Sequence, residues 1–280
     1  METFIRCAIA IFIFQSLLFL IALLKKNNGI ADIGWGIGFI IIAALCTRYY
    51  LFKCAFASIF TEGSEPDTAF LLLVSLVAVW GLRLSIYLLI RNWSKPEDWR
   101  YAMWRQDWGK SFLIRSFLQV FILQGFFMMV IGSPIILSAL DSATDTVPYT
   151  LLQYILISLG LMLWLIGFFF QAVGDYQLFI FKKDISNKGR IMRYGVWRYT
   201  RHPNYFGESA MWWGIFLISC VSAHSIIGIL LRTVGPAMIT FMLLRVSGVT
   251  MLEGKYKGNT EYEEYQKNTS SFIPRPPKVK

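Results

Sequence analysis

Charge is scarce in this chain. Asp, Glu, Lys and Arg make up 16% of its 280 residues, where a soluble domain carries about 25%. Histidine is scarcer, with only His202 and His224. The four cysteines, Cys7, Cys46, Cys54 and Cys220, form no Cys-x-x-Cys pair. These shortages exclude a zinc-ribbon or dithiol motif, so no metal is expected and the cysteines are read as packing residues. Also missing are internal repeats, low-complexity tracts and a linker long enough to divide domains. One domain over residues 1–280 is the economical expectation, with helices of 1–140 on a substrate side and 141–280 as a cofactor-binding half.

What is present is hydrocarbon. Hydrophobic residues are 56% of the chain and the mean hydropathy is +0.52. Apolar runs cover 4–24, 33–52, 69–90, 112–140, 151–170, 205–221 and 225–249. Most approach or exceed the roughly 20 residues that cross a bilayer. Backbone groups in lipid must be bonded within the segment, and continuous apolar runs favour helices over alternating strands. The expectation is an all-α polytopic membrane protein with seven transmembrane helices. The first run is followed by Lys25-Lys26 rather than by small residues, so it reads as a retained span.

Lys and Arg alternate with acids between the runs. Basic connections hold Lys25 and Lys26, then Arg91 to Arg115, then Lys182 to Arg201, and finally the tail. Acidic ones hold Glu62, Glu65 and Asp67, then Asp141 and Asp145. This pattern predicts the N-terminus outside and the C-terminus in the cytoplasm, in a bacterial inner membrane or an endoplasmic reticulum. It also accounts for the net charge of +10 through the bilayer, with no nucleic-acid partner.

The stretch from Gln171 to Glu208 carries the polar chemistry. Gln171, Asp175 and Lys182 fall on one face of a continuous helix, which reads equally as a solvated helix end or as part of a site. Arg190, Arg193, Arg198 and Arg201 follow, with charge enough for a phosphorylated ligand or for anionic headgroups. "RHPNYFGE" (201–208) places Pro203 where a helix can begin, leaving unpaired N–H groups and a positive dipole end. The spacing of Arg201, Asn204 and Glu208 predicts a shared face. Arg201 would grip phosphate, while Glu208, one turn into the bilayer, would accept from a ligand's amide or hydroxyls.

"GDYQLFIFKKD" (174–184), "GRIMRYGVWRYTRHPNYFGE" (189–208) and "LLR" (243–245) resemble the C-terminal half of the steroid 5α-reductase superfamily. "GLRLSIYLLIRN" (81–92) and "EDWRYAMWRQDWGK" (97–110) resemble its bacteria-rich branch, known mostly as a domain of unknown function. The resemblance covers most of the chain after Asp32. It implies NADPH as cofactor, contacted by Gln171, Asp175, Lys182, Arg190, Asn204, Glu208 and Arg245. Gln171 stands where those reductases have Asn. Arg198, Arg201, His202 and Tyr205 complete the candidate cofactor set, as members of the basic cluster and of the motif. Isoprenylcysteine carboxyl methyltransferases share an R-H-P-x-Y-x-G core, and that likeness implies S-adenosylmethionine instead.

The substrate side departs from the superfamily. Its Gln-Glu pair is absent, and Val249 and Glu253 stand near the places of a last-helix His and Tyr. Glu253 is similar to the methyltransferase branch. Asp32, in "ADIGWG" (31–36), is the nearest substitute carboxylate, read either as a helix cap or as a desolvated hydrogen-bond donor. Trp80, Arg83 and Tyr87 share a face of the third span; Trp80 stands near a reductase Tyr, and Tyr87 reads as an interfacial aromatic or as a second candidate donor, the former favoured. Glu97, Asp98 and Arg100 read as solvent ion pairs or as a lid, the former favoured. Gln119 and Gln124 are expected to face helices or a cavity rather than lipid.

The resemblance therefore implies reduction of a carbon–carbon double bond conjugated to a carbonyl, in a lipophilic substrate reaching the site from the bilayer. Asp32 or Tyr87 would polarise the carbonyl oxygen. A membrane methyltransferase, or a non-catalytic lipid- or cofactor-binding protein, is the alternative.

Overall fold

Among the described residues the seven apolar runs are largely helical in the computed structural model, which describes residues 2–58, 67–92, 95–142, 148–246 and 248–277. Glu62, Glu65 and Asp145 lie outside the described residues. In chain order the helices are α1 (Glu2–Lys25), α2 (Ile30–Ala57), α3 (Thr68–Asn92), α4 (Trp99–Trp108), α5 (Phe112–Arg115), α6 (Leu123–Ile131) and α7 (Ser133–Asp141). They continue with α8 (Leu151–Lys183), α9 (Pro203–Ser219), α10 (Ile226–Phe241), α11 (Val249–Lys255) and α12 (Thr260–Asn268). Among the described residues there is no strand, only a bridge between Thr200 and Ser270.

Among the described residues six segments are long and apolar enough to cross a membrane: Glu2–Lys25, Ile30–Ala57, Thr68–Asn92, Trp99–Ile131, Leu151–Lys183 and Ile226–Lys255. Helix α9 has 17 residues, at the lower limit of spanning lengths, about 17–25 residues. The chain is an all-α polytopic membrane protein. One run differs from its expectation. Residues 112–140 are not one straight span: Trp99–Ile131 is continuous through a π-helical stretch, Ser116–Ile122, and stops at Gly132. Pro134 follows in the first turn of α7. Its ring and missing N–H do not fit a helix interior, so α7 starts anew. Gln119, within the π stretch, is exposed rather than turned to a cavity; the wider turn changes the helical phase on which that expectation rested.

The chain packs as two compact units. The first comprises Met1–Gln153 and Ile218–Gly235, the second Tyr154–Leu217 and Pro236–Lys280. In the first, α2 and α3 touch backbone to backbone. A Cβ on Gly36 would fall 2.3 Å from the Gly81 carbonyl oxygen, and one on Gly81 would fall 2.7 Å from that of Gly36. Small residues allow this approach where lipid offers helices no hydrophobic incentive to associate. Phe39 and Trp80 pack edge to face beside the crossing, 5.4 Å between centroids. Cys7, Cys46 and Cys54 are buried.

The second unit repeats the device between α8 and α9. Gly160, Gly167 and Gly174 recur every seven residues, as do Gly207 and Gly214. A Cβ on Gly167 would lie 2.5 Å from the Gly207 carbonyl oxygen, one on Gly207 would lie 2.4 Å from that of Gly167, and one on Gly214 would lie 2.5 Å from that of Gly160. At Gly174 the neighbours are Pro203 and Asn204. The two helices therefore run antiparallel along a seam too narrow for side chains. That seam positions the polar residues around it.

Candidate functional site

At the cytoplasm-facing end expected for this seam, the sequence supplies polar residues just beyond the glycines. Gln171 and Asp175 follow Gly167 on α8; Asn204 and Glu208 flank Gly207 on α9. The structure brings all four together. Gln171 Nε2 donates to Glu208 Oε2 at 3.2 Å, and Asn204 Nδ2 donates to Asp175 Oδ1 at 3.4 Å. Gln171, Asp175 and Glu208 are 2%, 4% and 8% exposed. Two carboxylates this deep are costly to hold in apolar surroundings, which marks a site rather than a surface. Glu208 lies five residues past Pro203, about 7.5 Å along the helix.

Helix α9 begins at Pro203, as its sequence predicts. This start separates Arg201 from Asn204 and Glu208, because the i, i+3 relation holds only inside a helix. Arg201 Nε and Nη2 donate to Glu253 Oε1 at 2.9 and 2.8 Å. Its Nη1 donates to the carbonyls of Gln266, at 3.2 Å, and of Thr269. The fork expected to grip phosphate is committed to α11 and the tail. His202 joins the same carboxylate, Nε2 to Glu253 Oε1 at 3.1 Å, and stacks on Tyr205 with centroids 5.5 Å apart. Gln266 Nε2 donates to the other oxygen, Oε2, at 3.0 Å. Glu253 is thus a hub beneath the start of α9. The sequence marks it as a departure from the reductase pattern and a likeness to the methyltransferase branch, not as a hub.

The loop from Asp184 to His202 lies against the end of α8. Gly195 adopts φ +60°, a left-handed conformation that glycine tolerates. The next residue, Val196, donates its N–H to Gln177 Oε1 at 3.0 Å, and Trp197 Nε1 donates to the Gly174 carbonyl at 3.0 Å. The tail closes over this loop. Thr200 Oγ1 donates to the Phe272 carbonyl at 2.8 Å, Arg275 N to that of Tyr199 at 3.0 Å, and Tyr265 O–H to that of Trp197. Burial pushes the Tyr265 phenol well above its ordinary range, so it remains a donor. Asp184 is held below the usual carboxylate range by the Ser186 hydroxyl and N–H. Lys182, Arg190, Arg193 and Arg198 are exposed, and so is Arg245 on the π-helical turn Met242–Val246.

The candidate substrate residues belong to the first unit. Asp32 lies in the first turn of α2, whose N-cap is Gly29. It accepts from Tyr101 O–H at 2.7 Å and Arg100 Nη2 at 3.2 Å. It therefore receives hydrogen bonds from two side chains, where the sequence leaves a helix cap or a desolvated donor open. The reason lies in the "EDWRY" stretch, which is not a set of solvent ion pairs. Asp98 caps α4 by accepting from Arg100 N at 3.0 Å. Burial opposes its ionisation, but the Arg100 guanidinium at 2.8 Å holds its carboxyl below the ordinary range. Glu97 accepts from Arg105 Nη2 at 2.8 Å and Nε at 2.9 Å, and from Asn28 N at 2.7 Å. Together these contacts latch α4 to the α1–α2 turn. Tyr87 is half-buried with the Arg83 and Arg91 guanidiniums each 5.4 Å from its ring centroid.

The sequence reading missed Arg232 altogether. It is fully buried in α10, donating from Nη2 to Asp141 Oδ2 at 2.9 Å and to Ser222 Oγ at 3.3 Å. An arginine inside an apolar run was the available signal. Among the described residues no group of His, Cys, Asp and Glu could hold a metal ion.

A family model described as "Protein of unknown function (DUF1295)" matches residues 18–269, most of the chain. Neither a curated protein nor a solved structure matches it.

Proposed function

We propose that this chain, which belongs to the DUF1295 family, is a membrane-embedded, NADPH-dependent reductase of a carbon–carbon double bond conjugated to a carbonyl in a lipophilic substrate. The observation that carries this reading is the convergence of Gln171, Asp175, Asn204 and Glu208 at one buried seam. Two carboxylates and two amides offer acceptors for a carboxamide NH₂ and ribose hydroxyls, at a depth that phosphates would not share. The nearby exposed cations Lys182, Arg190 and Arg198 suit phosphates, including a 2′-phosphate. Arg201 is reassigned to holding the tail, through Glu253. His202 and Tyr205 brace the start of α9 beside it. Arg245 is kept as a further cofactor contact on the family resemblance alone.

A bound reduced nicotinamide would supply hydride to the β-carbon of the conjugated system. The chain's own task is to orient the ring through the seam's acceptors and to exclude water. A donor must also stabilise the developing enolate oxygen. Of the two candidates, Tyr87 carries a hydroxyl that can donate, whereas Asp32 is engaged as an acceptor by Arg100 and Tyr101. Tyr87 is therefore kept as the candidate donor, on the sequence alone. The proposed setting is a bacterial inner membrane, with the C-terminus in the cytoplasm.

One observation favours a second reading. The R-H pair of the "RHPNYFGE" motif is bonded to Glu253, the residue similar to the methyltransferase branch. S-adenosylmethionine is then the ligand and methyl transfer the reaction. Titrating detergent-solubilised protein with NADPH, NADH and S-adenosylmethionine separates the two. NADPH binding in preference to NADH supports the reductase; tight binding of S-adenosylmethionine alone overturns it.

A further inference from the structure

Gln15 stands midway along α1, among Phe12, Phe14, Leu17 and Leu18. An amide at that depth is out of place unless something satisfies it. It is fully buried, and its Nε2 donates to Met128 Sδ at 3.3 Å, a weak acceptor. Its Oε1 has no hydrogen-bond partner among the described residues. An unsatisfied buried carbonyl costs on the order of a whole hydrogen bond.

The chain makes room for this amide at a second cost. Gly125 sits inside α6, where glycine weakens a helix. A Cβ there would lie 3.2 Å from Gln15 Cγ and 3.2 Å from Ile11 Cγ2, so a larger residue would press on α1. Gln15 also lines a groove of about 540 Å³ in the first unit, walled by α1, α6, α7 and α10. Its other walls include Phe4, Phe12, Phe126, Met129 and Leu231. Ser133 is the other polar side chain in the lining, and its hydroxyl donates to the Leu231 carbonyl at 3.5 Å. A largely apolar cavity with few polar groups is the usual composition of a small-molecule site, and the volume falls within the usual range of about 300–1,000 Å³. The terminal torsion of a glutamine is soft, so the amide oxygen can turn into the groove.

We propose that this groove binds a membrane-dissolved alcohol: a hydrocarbon chain or ring system whose hydroxyl donates to Gln15 Oε1. An acceptor without a donor selects a hydroxyl over an ether or a bare alkane. Hydrocarbon walls in a bilayer select a lipophilic carrier over water. The inference rests on the first unit alone and stands whether or not NADPH binds elsewhere.

The test is equilibrium binding of tritiated hexadecanol to the full chain in nanodiscs, with competition by hexadecyl methyl ether. The wild type should bind the alcohol about five- to ten-fold more tightly than the ether, the worth of one hydrogen bond. Gln15→Met, close in length, should erase that preference while leaving ether binding unchanged. Ala8→Trp, which fills the groove, should abolish both. Ligand-free Gln15→Met should melt no lower than wild type, because it removes an unsatisfied amide. Equal affinity for alcohol and ether in the wild type, or no binding of either, overturns the proposal. So does a preference that survives Gln15→Met. A lower melting temperature for ligand-free Gln15→Met shows the amide to be satisfied within the protein, and overturns it too.

Discussion

Gln171 and Glu208 meet at 3.2 Å across the seam where Gly167 and Gly207 bring α8 and α9 backbone to backbone. The closeness of the helices fixes where the carboxylate can be, and its burial makes it a strong acceptor. Glu208→Gln keeps the side chain's size and a hydrogen bond to Gln171 but removes the charge. NADPH binding should weaken about ten- to a hundred-fold, the worth of a charge-assisted hydrogen bond. Titration of folded variant and wild type measures this. A variant that binds normally and only melts earlier would make Glu208 a packing residue.

The seam itself should tolerate no side chain. Gly167→Ala would set a methyl 2.5 Å from the Gly207 carbonyl oxygen and 2.7 Å from Met211 N. Backbone must move to relieve that, at a cost of about 1–3 kcal/mol or more. Gly254, in α11, has open space about its Cβ position, so Gly254→Ala should be neutral or stabilising by up to about 1 kcal/mol. Melting curves of the two variants in one detergent make the comparison.

Glu253 should matter first to the tail. Removing its carboxylate leaves Arg201, 9% exposed, without its charged partner. Breaking a pair this buried costs about 3–5 kcal/mol, and the partial exposure of Glu253, 19%, places Glu253→Ala toward the lower end. Glu253→Gln keeps an acceptor and should lose less. Limited proteolysis near Gln266 and Thr269, whose carbonyls Arg201 also holds, should accelerate in the order Ala, Gln, wild type.

The legible parts of this protein were the local ones. Pro203 announced the start of α9, and Gln171 with Asp175 announced a polar helix face. Arg201 misled because a helical spacing rule was extended two residues before the helix begins. The pairing of Asp32 with Arg100 joins residues 68 apart, and nothing in either neighbourhood states it. Likewise Gly160, Gly167 and Gly174 repeat visibly, but their meaning appears only beside Gly207 and Gly214. Long-range partners decide whether a carboxylate gives or receives, so the choice between cap and donor for Asp32 could not be made from "ADIGWG" alone.

Sidedness follows from the charge alternation and can be read at the two ends of α8. Thr150→Cys and Lys188→Cys, each in a background lacking Cys7, Cys46, Cys54 and Cys220, flank this 33-residue helix. A membrane-impermeant maleimide should label Lys188→Cys only after the cytoplasmic face is opened, and Thr150→Cys from outside. Labelling of both from the same side would break the proposed topology.

The buried pair of Arg232 and Asp141 yields an asymmetric prediction. Arg232 is 0% exposed and Asp141 36% exposed at the side chain, so the desolvation falls mainly on the arginine. Asp141→Asn keeps the shape but leaves a guanidinium in a site built for neutrality. It should destabilise by about 3 kcal/mol, somewhat less if water reaches the exposed side of residue 141. Arg232→Met removes the buried charge and leaves Asp141 able to reach water, so it should cost clearly less. The double variant should then be more stable than Asp141→Asn alone, because the second substitution removes the charge that the first one stranded. Thermal melts of the three variants complete the cycle. If Asp141→Asn is the mildest of them, Arg232 is held by its contacts to Ser222 Oγ and the Gly228 carbonyl rather than by the ion pair.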